Sequence, residues 1–144
     1  MYLDDLHEGF TFETGRRELT QEAIIAFARD NDPQSFHLDP DAPSPFGGLI
    51  ASGFQTMTTA FVLTLEANIF TEASMGSPGM DELRWLLPVR PGDALRCRGT
   101  VLSVTPSRSR ADRGRTEIAY EVLNQRDEVV MTYRVTHILR RRPA

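Results

Sequence analysis

The segment LIASGFQTMTTAFVLTLEANIF, residues 49–70, is the stretch that most restricts how this chain can fold. Phe54, Met57, Ala60, Phe61, Val62, Leu63 and Leu65 fall around most of a helix instead of along one stripe. A helix that is apolar on nearly every side has to be enclosed. The pattern predicts one central, buried helix from about Gly53 to about Phe70, with a larger element around it. Gln55, four threonines, Glu66 and Asn68 interrupt the run, so it does not read as a membrane span.

The C-terminal half supplies the enclosure. Leu83, Trp85 and Leu87 alternate, and PVRPGD follows as a turn. Leu95, Cys97 and Gly99 alternate until the phase slips to Leu102 and Val104, which predicts a β-bulge near the glycine. Ile118, Tyr120 and Val122 share one strand face, NQRDE makes a short hairpin connection, and Val129, Met131, Tyr133, Val135, His137 and Leu139 line a long last strand. Long antiparallel strands after one apolar helix predict an α+β fold, a sheet curled around a buried helix.

A chain of 144 residues fits a single domain spanning residues 1–144, large enough to bury a core without covalent staples. The one cysteine, Cys97, excludes an internal disulfide, and MYLDDLHEGF carries no apolar signal core, so a cytoplasmic location is expected. The net charge of −4 offers nothing that calls for nucleic acid. No dinucleotide fingerprint, phosphate loop or zinc spacing is present, and no metal site is expected.

Ahead of the central helix, Phe10 to Leu19 alternates weakly and reads as a first strand around Gly15. Thr20 is a candidate N-cap, with Ile24, Phe27 and Ala28 on one stripe of a helix that ends near Asp32, because Pro33 disfavours the helical conformation before it. Residues 33–48, with four prolines and the pair Gly47–Gly48, read as loop.

The segments DPQSFHLDP (Asp32–Pro40) and FGGLIASGF (Phe46–Phe54), with GSPGMDELRWLLPVRPGD further on, resemble the MaoC-like dehydratases, or R-specific enoyl-CoA hydratases, of the hotdog fold. In that family an Asp-x-Asn-Pro-x-His motif precedes a Phe-Gly-Gly-Leu-Ile-Ala segment that leads into the central helix. The likeness covers nearly the whole chain. Gln34 and Ser35 stand in place of the usual Asn and Pro, which bears on loop geometry, and Ser52 stands where His is common, which bears on substrate orientation.

The resemblance implies that Asp32 and His37 hold a catalytic water and that a helix-start glycine N–H, here Gly53, binds the thioester oxygen. The residue types suit the chemistry: a carboxylate accepts a proton, a histidine titrates near neutrality, and a helix start offers free N–H donors at its positive end. Gly53 would admit a ligand carbonyl for want of a Cβ, Gly48 would belong to the loop walling the acyl end, and Phe54 and Met57 would limit chain length. Ser52 is a candidate donor to substrate, or simply an N-cap. Plainer readings also stand: Asp32 capping a turn, His37 satisfied by backbone, the glycines serving turns, and Asp39 bracing the loop.

The expected activity is hydration of a trans-2-enoyl-CoA to the (R)-3-hydroxyacyl-CoA, or its reverse, with the coenzyme A thioester as substrate and no separate cofactor. Acyl-CoA thioesterase and a non-catalytic thioester-binding or assembly subunit are the alternatives. Arg108, Arg110, Arg113 and Arg115 are either contacts to coenzyme A phosphates or a solvated hairpin tip. An open sheet edge and an apolar patch call for a second copy, so a homodimer or larger homo-oligomer is expected.

Overall fold

The computed structural model describes residues 1–144. Its strands are β1 (Thr11–Glu13), β2 (Arg17–Glu18), β3 (Gly79–Trp85), β4 (Ala94–Pro106), β5 (Arg113–Leu123) and β6 (Val129–Arg140). All pair antiparallel in the order β1-β4-β5-β6-β3, with β2 on the start of β4. The helices are α1 (Gln21–Asn31), α2 (Ser35–Leu38) and α3 (Gly53–Glu66). This is the α+β hotdog arrangement, an antiparallel sheet wrapped on α3.

Period-two burial positions the sheet. Leu95, Cys97, Val101, Ile118, Tyr120, Val122, Met131, Tyr133 and Leu139 are all buried in one core cluster. Each fully buried aliphatic side chain there contributes about 1.5–3 kcal/mol. The bulge falls at Leu102, between the pairs Val101/Ile118 and Ser103/Glu117. Gly99 has a different cause: the Phe12 ring fills the place a Cβ would take. The weak alternation before Thr20 resolves into two short strands, β1 and β2, parted around Gly15.

Thr20 caps α1 by accepting the Ala23 N–H at 3.1 Å. In PVRPGD, the buried Asp93 carboxylate accepts the Arg90 N–H at 2.9 Å and the Gln125 amide at 2.8 Å, closing the turn into β4.

Four expectations need correction. Helix α3 stops at Glu66, short of Phe70, because Asn68 adopts the left-handed conformation (φ 54°) that asparagine tolerates. Nor is α3 buried all round. Gln55, Thr56, Thr59, Ala60 and Leu63 face inward, while Phe54, Phe61 and Leu65 are 61%, 54% and 46% exposed, since one sheet covers one side only. Residues 33–48 are not all loop, for Ser35–Leu38 forms a helical turn between Pro33 and Pro40. The alternation Leu83, Trp85, Leu87 also breaks. Glu82 has φ 51° within a register shift, β3 ends at Trp85, and Leu86 and Leu87 both stand exposed. No helix is long and apolar enough to cross a membrane.

Candidate active site

Asp32 is the C-cap of α1, and its N–H donates to Ala28 O at 2.9 Å. Pro33 then turns the chain, and one turn of α2 carries His37 back toward Asp32. Ser35, at the first position of α2, occupies the place where proline is also well suited, so the missing proline leaves the turn intact. His37 is 4% exposed. Its Nδ1 lies 2.7 Å from Ile50 O, and because a carbonyl only accepts, Nδ1 carries the proton. Nε2 then faces Asp32 Oδ2 at 3.2 Å, a contact that is a hydrogen bond only when Nε2 also bears a proton.

Asp32 is held from three sides. The Gln34 amide donates to Oδ1 at 2.6 Å, so the glutamine that replaces asparagine still delivers an amide to the carboxylate. The Ser52 hydroxyl donates to Oδ2 at 2.7 Å. Burial by itself raises the Asp32 carboxyl, but the Gln34 and Ser52 donors and the His37 ring outweigh it and leave it below its ordinary value. Two of the roughly four acceptor positions of the carboxylate are filled by Gln34 and Ser52, and a third when His37 Nε2 bears a proton, which still leaves one for a water or hydroxyl.

Ser52 is the N-cap of α3, accepting the Phe54 N–H at 3.2 Å, and Ser52 O accepts from the Gln55 and Thr56 N–H groups at 2.9 and 3.1 Å. The Gly53 N–H makes no hydrogen bond within the chain. It is a free donor at the positive end of a 14-residue helix, and Gly53 lines the same cavity as Asp32 and His37.

That cavity has a volume of about 430 Å³. Phe36, Phe46, Phe54, Trp85 and Val89 make most of its walls apolar. Trp85 was missed by sequence reasoning except as a strand residue. Its Nε1–H donates to Gly53 O at 3.0 Å, and a Cβ at position 53 would stand 2.5 Å from its ring. Glycine at 53 is therefore required by the indole. The space a side chain would occupy is filled and does not lie open to a ligand.

The remaining predicted residues separate. Phe54 lines the cavity, edge-on to Trp85 with ring centroids 6.0 Å apart. Gly48 does not line it; with φ 143° it serves the loop that Arg90 pins through a 2.6 Å bond to Phe46 O. Ser52 is fully buried behind the wall. Met57 lines a second cavity of about 450 Å³ further along α3, with Phe61, Met80, Tyr120, Tyr133 and His137. Arg108 and Arg110 are exposed on the tip between β4 and β5, and Arg113 is paired with Asp112 at 2.9 Å. Arg115 is exposed on β5. The tip lies about 40 Å of strand from the Arg90–Asp93 turn that borders the cavity.

The same architecture recurs in known proteins. A family model described as "MaoC like domain" matches residues 7–125. The MaoC-like dehydratase from Rhodospirillum rubrum is 40% identical, with 100% of this chain and 99% of that one covered, and the structures agree with a TM-score of 0.94. The R-hydratase PhaJ1 from Pseudomonas aeruginosa, unliganded, is 25% identical with a TM-score of 0.71, covering 99% of this chain and 86% of that one. The uncharacterized protein YdeM of Bacillus subtilis (strain 168) is 29% identical over 143 residues, 98% of this chain and 100% of YdeM. Of three further relatives the chain spans 33%, 53% and 59% of the length.

Proposed function

The chain belongs to the MaoC-like domain family, and from that premise we propose that it is a hydratase interconverting a trans-2-enoyl-CoA and an (R)-3-hydroxyacyl-CoA. The observation that carries the reading is the convergence of Asp32, His37 and the unpaired Gly53 N–H on one apolar cavity. The R-hydratase among the similar structures supports the choice of reaction and of hand.

The steps balance with these groups alone. Asp32 accepts a proton from water as the water oxygen bonds to C3. The electron pair of the double bond moves toward the thioester oxygen, where the Gly53 N–H meets the growing negative charge. With His37 protonated on both nitrogens, its Nε2–H then protonates C2, and the bare Nε2, 3.2 Å from the Asp32 carboxyl group, takes up the proton that Asp32 gained. Dehydration is the same path reversed. The reaction uses water and a proton and calls for no cofactor.

Phe54 and Trp85 would flank the acyl chain where it leaves the thioester. The strand β3 is an unpaired edge, and Phe54, Phe61 and Leu65 leave an apolar helix face beside it, so the working unit is a homodimer that covers both. A cytoplasmic location fits the supply of coenzyme A thioesters.

The test follows the loss of conjugated enoyl-thioester absorbance after crotonyl-CoA is added. Steady loss without free thiol is the expected result, and thiol release in its place would make the protein a thioesterase. A light-scattering mass of one chain at micromolar concentration would refute the dimer.

A further inference from the structure

We propose that Ser52 is a positioning residue that ties the Asp32 carboxylate to the start of α3, so that the base and the Gly53 N–H are held as one unit. The inference rests on the hydratase reading for its catalytic consequence, but its structural half stands without it.

The geometry leaves the Ser52 side chain little else to do. It is 0% exposed and contributes no surface to the cavity, so it does not touch substrate. Its one proton goes to Asp32 Oδ2 at 2.7 Å. Its oxygen accepts the Phe54 N–H at 3.2 Å. The two bonds run in series from the end of α1 to the first turn of α3, joining residues 20 apart in sequence. One other link ties the two helices, the Gln55 amide on Ala23 O at 3.2 Å, and it lies at the far end of α1 from Asp32.

A plain N-cap would need only the second bond. The first sets the orientation of the carboxylate. With Oδ2 turned to Ser52 and His37, the open acceptor position is left on Oδ1, which only the exposed Gln34 amide shares. The two donors are therefore unequal. Removing the Gln34 amide lets water take its place. Removing the Ser52 hydroxyl, which is 0% exposed, leaves a carboxylate oxygen and the Phe54 N–H each one partner short at a buried position. His37 is the only titratable group acting on Asp32, alongside the neutral Gln34 and Ser52 donors.

The experiment compares S52A, S52C and S52T with Q34A, each checked for a cooperative melt. Asp32 titration is followed by carbon NMR of labelled aspartate, which needs no turnover, and hydration of crotonyl-CoA is followed in parallel. In S52A the Asp32 titration should rise by about one pH unit. The kcat should fall about tenfold to a hundredfold, with KM within about twofold. The acid limb of the pH–rate profile should move upward with the titration. S52C, close in size but a weak donor, should reproduce S52A and decides the matter if S52A does not fold. S52T, which keeps the hydroxyl, should restore both readouts, and Q34A should change them least. An Asp32 titration unmoved in folded S52A or S52C overturns the inference. A wild-type protein inert toward enoyl thioesters but with Asp32 shifted in S52A would overturn the hydratase reading and leave the Ser52 link standing.

Discussion

Two cavities follow one another along α3, about 430 and 450 Å³ in volume, and each has a histidine in its wall. At the helix start, His37 faces a carboxylate at 3.2 Å and is anchored behind by a backbone carbonyl. Further along, His137 Nε2 meets the Tyr120 hydroxyl at 2.7 Å, with Tyr120 stacked on Tyr133 and Phe70 beside the imidazole. No charge stands near His137, and burial alone pushes it down to about 4. Burial likewise pushes Tyr120 and Tyr133 upward. Every polar group in the second cavity wall is therefore neutral at ordinary pH, whereas the first brings a carboxylate to 3.2 Å from an imidazole nitrogen. On the hydratase reading, one residue type serves proton transfer in one place and packing in the other, and the neighbouring groups make the difference.

The sharpest way to break this comparison is to exchange the expected losses. Asp32→Asn should lower crotonyl-CoA hydration by about a thousandfold, and His137→Phe should leave it within about threefold. Equal losses would erase the distinction between the two cavities. His37→Ala should cost on the order of a hundredfold in kcat, because on the hydratase reading it removes the proton donor but leaves Asp32 and the Gly53 N–H in place.

Gly53→Ala tests the packing of the first cavity. The new Cβ meets the Trp85 ring, and overpacking of this kind costs about 1–3 kcal/mol. Adding Trp85→Ala should recover part of that loss of melting temperature. Strict additivity in the double-mutant cycle would mean that the indole does not dictate the glycine.

The pH dependence of stability sharpens the second cavity. His137 is harder to protonate when folded than when unfolded, so between pH 6.5 and about 4 the unfolded state binds the extra proton. Its contribution is fully present above about 6.5 and is lost as the pH falls toward 4, at up to about 1.4 kcal/mol per pH unit. Denaturant titrations of His137→Phe should lack that part of the acid limb. The smallest effect concerns Cys97. Burial pushes its thiol up to about 12, so a thiol reagent should label it only at the rate of unfolding. Rapid labelling of the native protein would place Cys97 outside the core.

Much of the fold could be read from local pattern. The Thr20 cap, the PVRPGD turn, the inward rows on β4, β5 and β6 and the helix from Gly53 all depend on residues a few positions apart. The nearness of Asp32 and His37 was legible for the same reason, since five residues across one proline and one helical turn bring them together. Ser52 illustrates the limit. Its capping role was visible from its place before the helix, but its bond to Asp32 was not, because nothing within a few residues encodes a partner 20 positions back. Trp85 is 32 residues from Gly53, and its indole, not a ligand, explains the glycine. Met57 reads as a neighbour of Phe54, yet the turn of the helix carries it into the other cavity.

The chain's own order of residues determined the α+β class, the caps and turns, and the pairing of an acid with an imidazole, because these follow from steric preference and periodicity over short range. Tertiary structure alone decided which face of α3 stays open, which histidine faces a charge, and which hydroxyl reaches the carboxylate. Those outcomes depend on where distant segments meet, and burial and hydrogen-bond partners come into being only at that meeting.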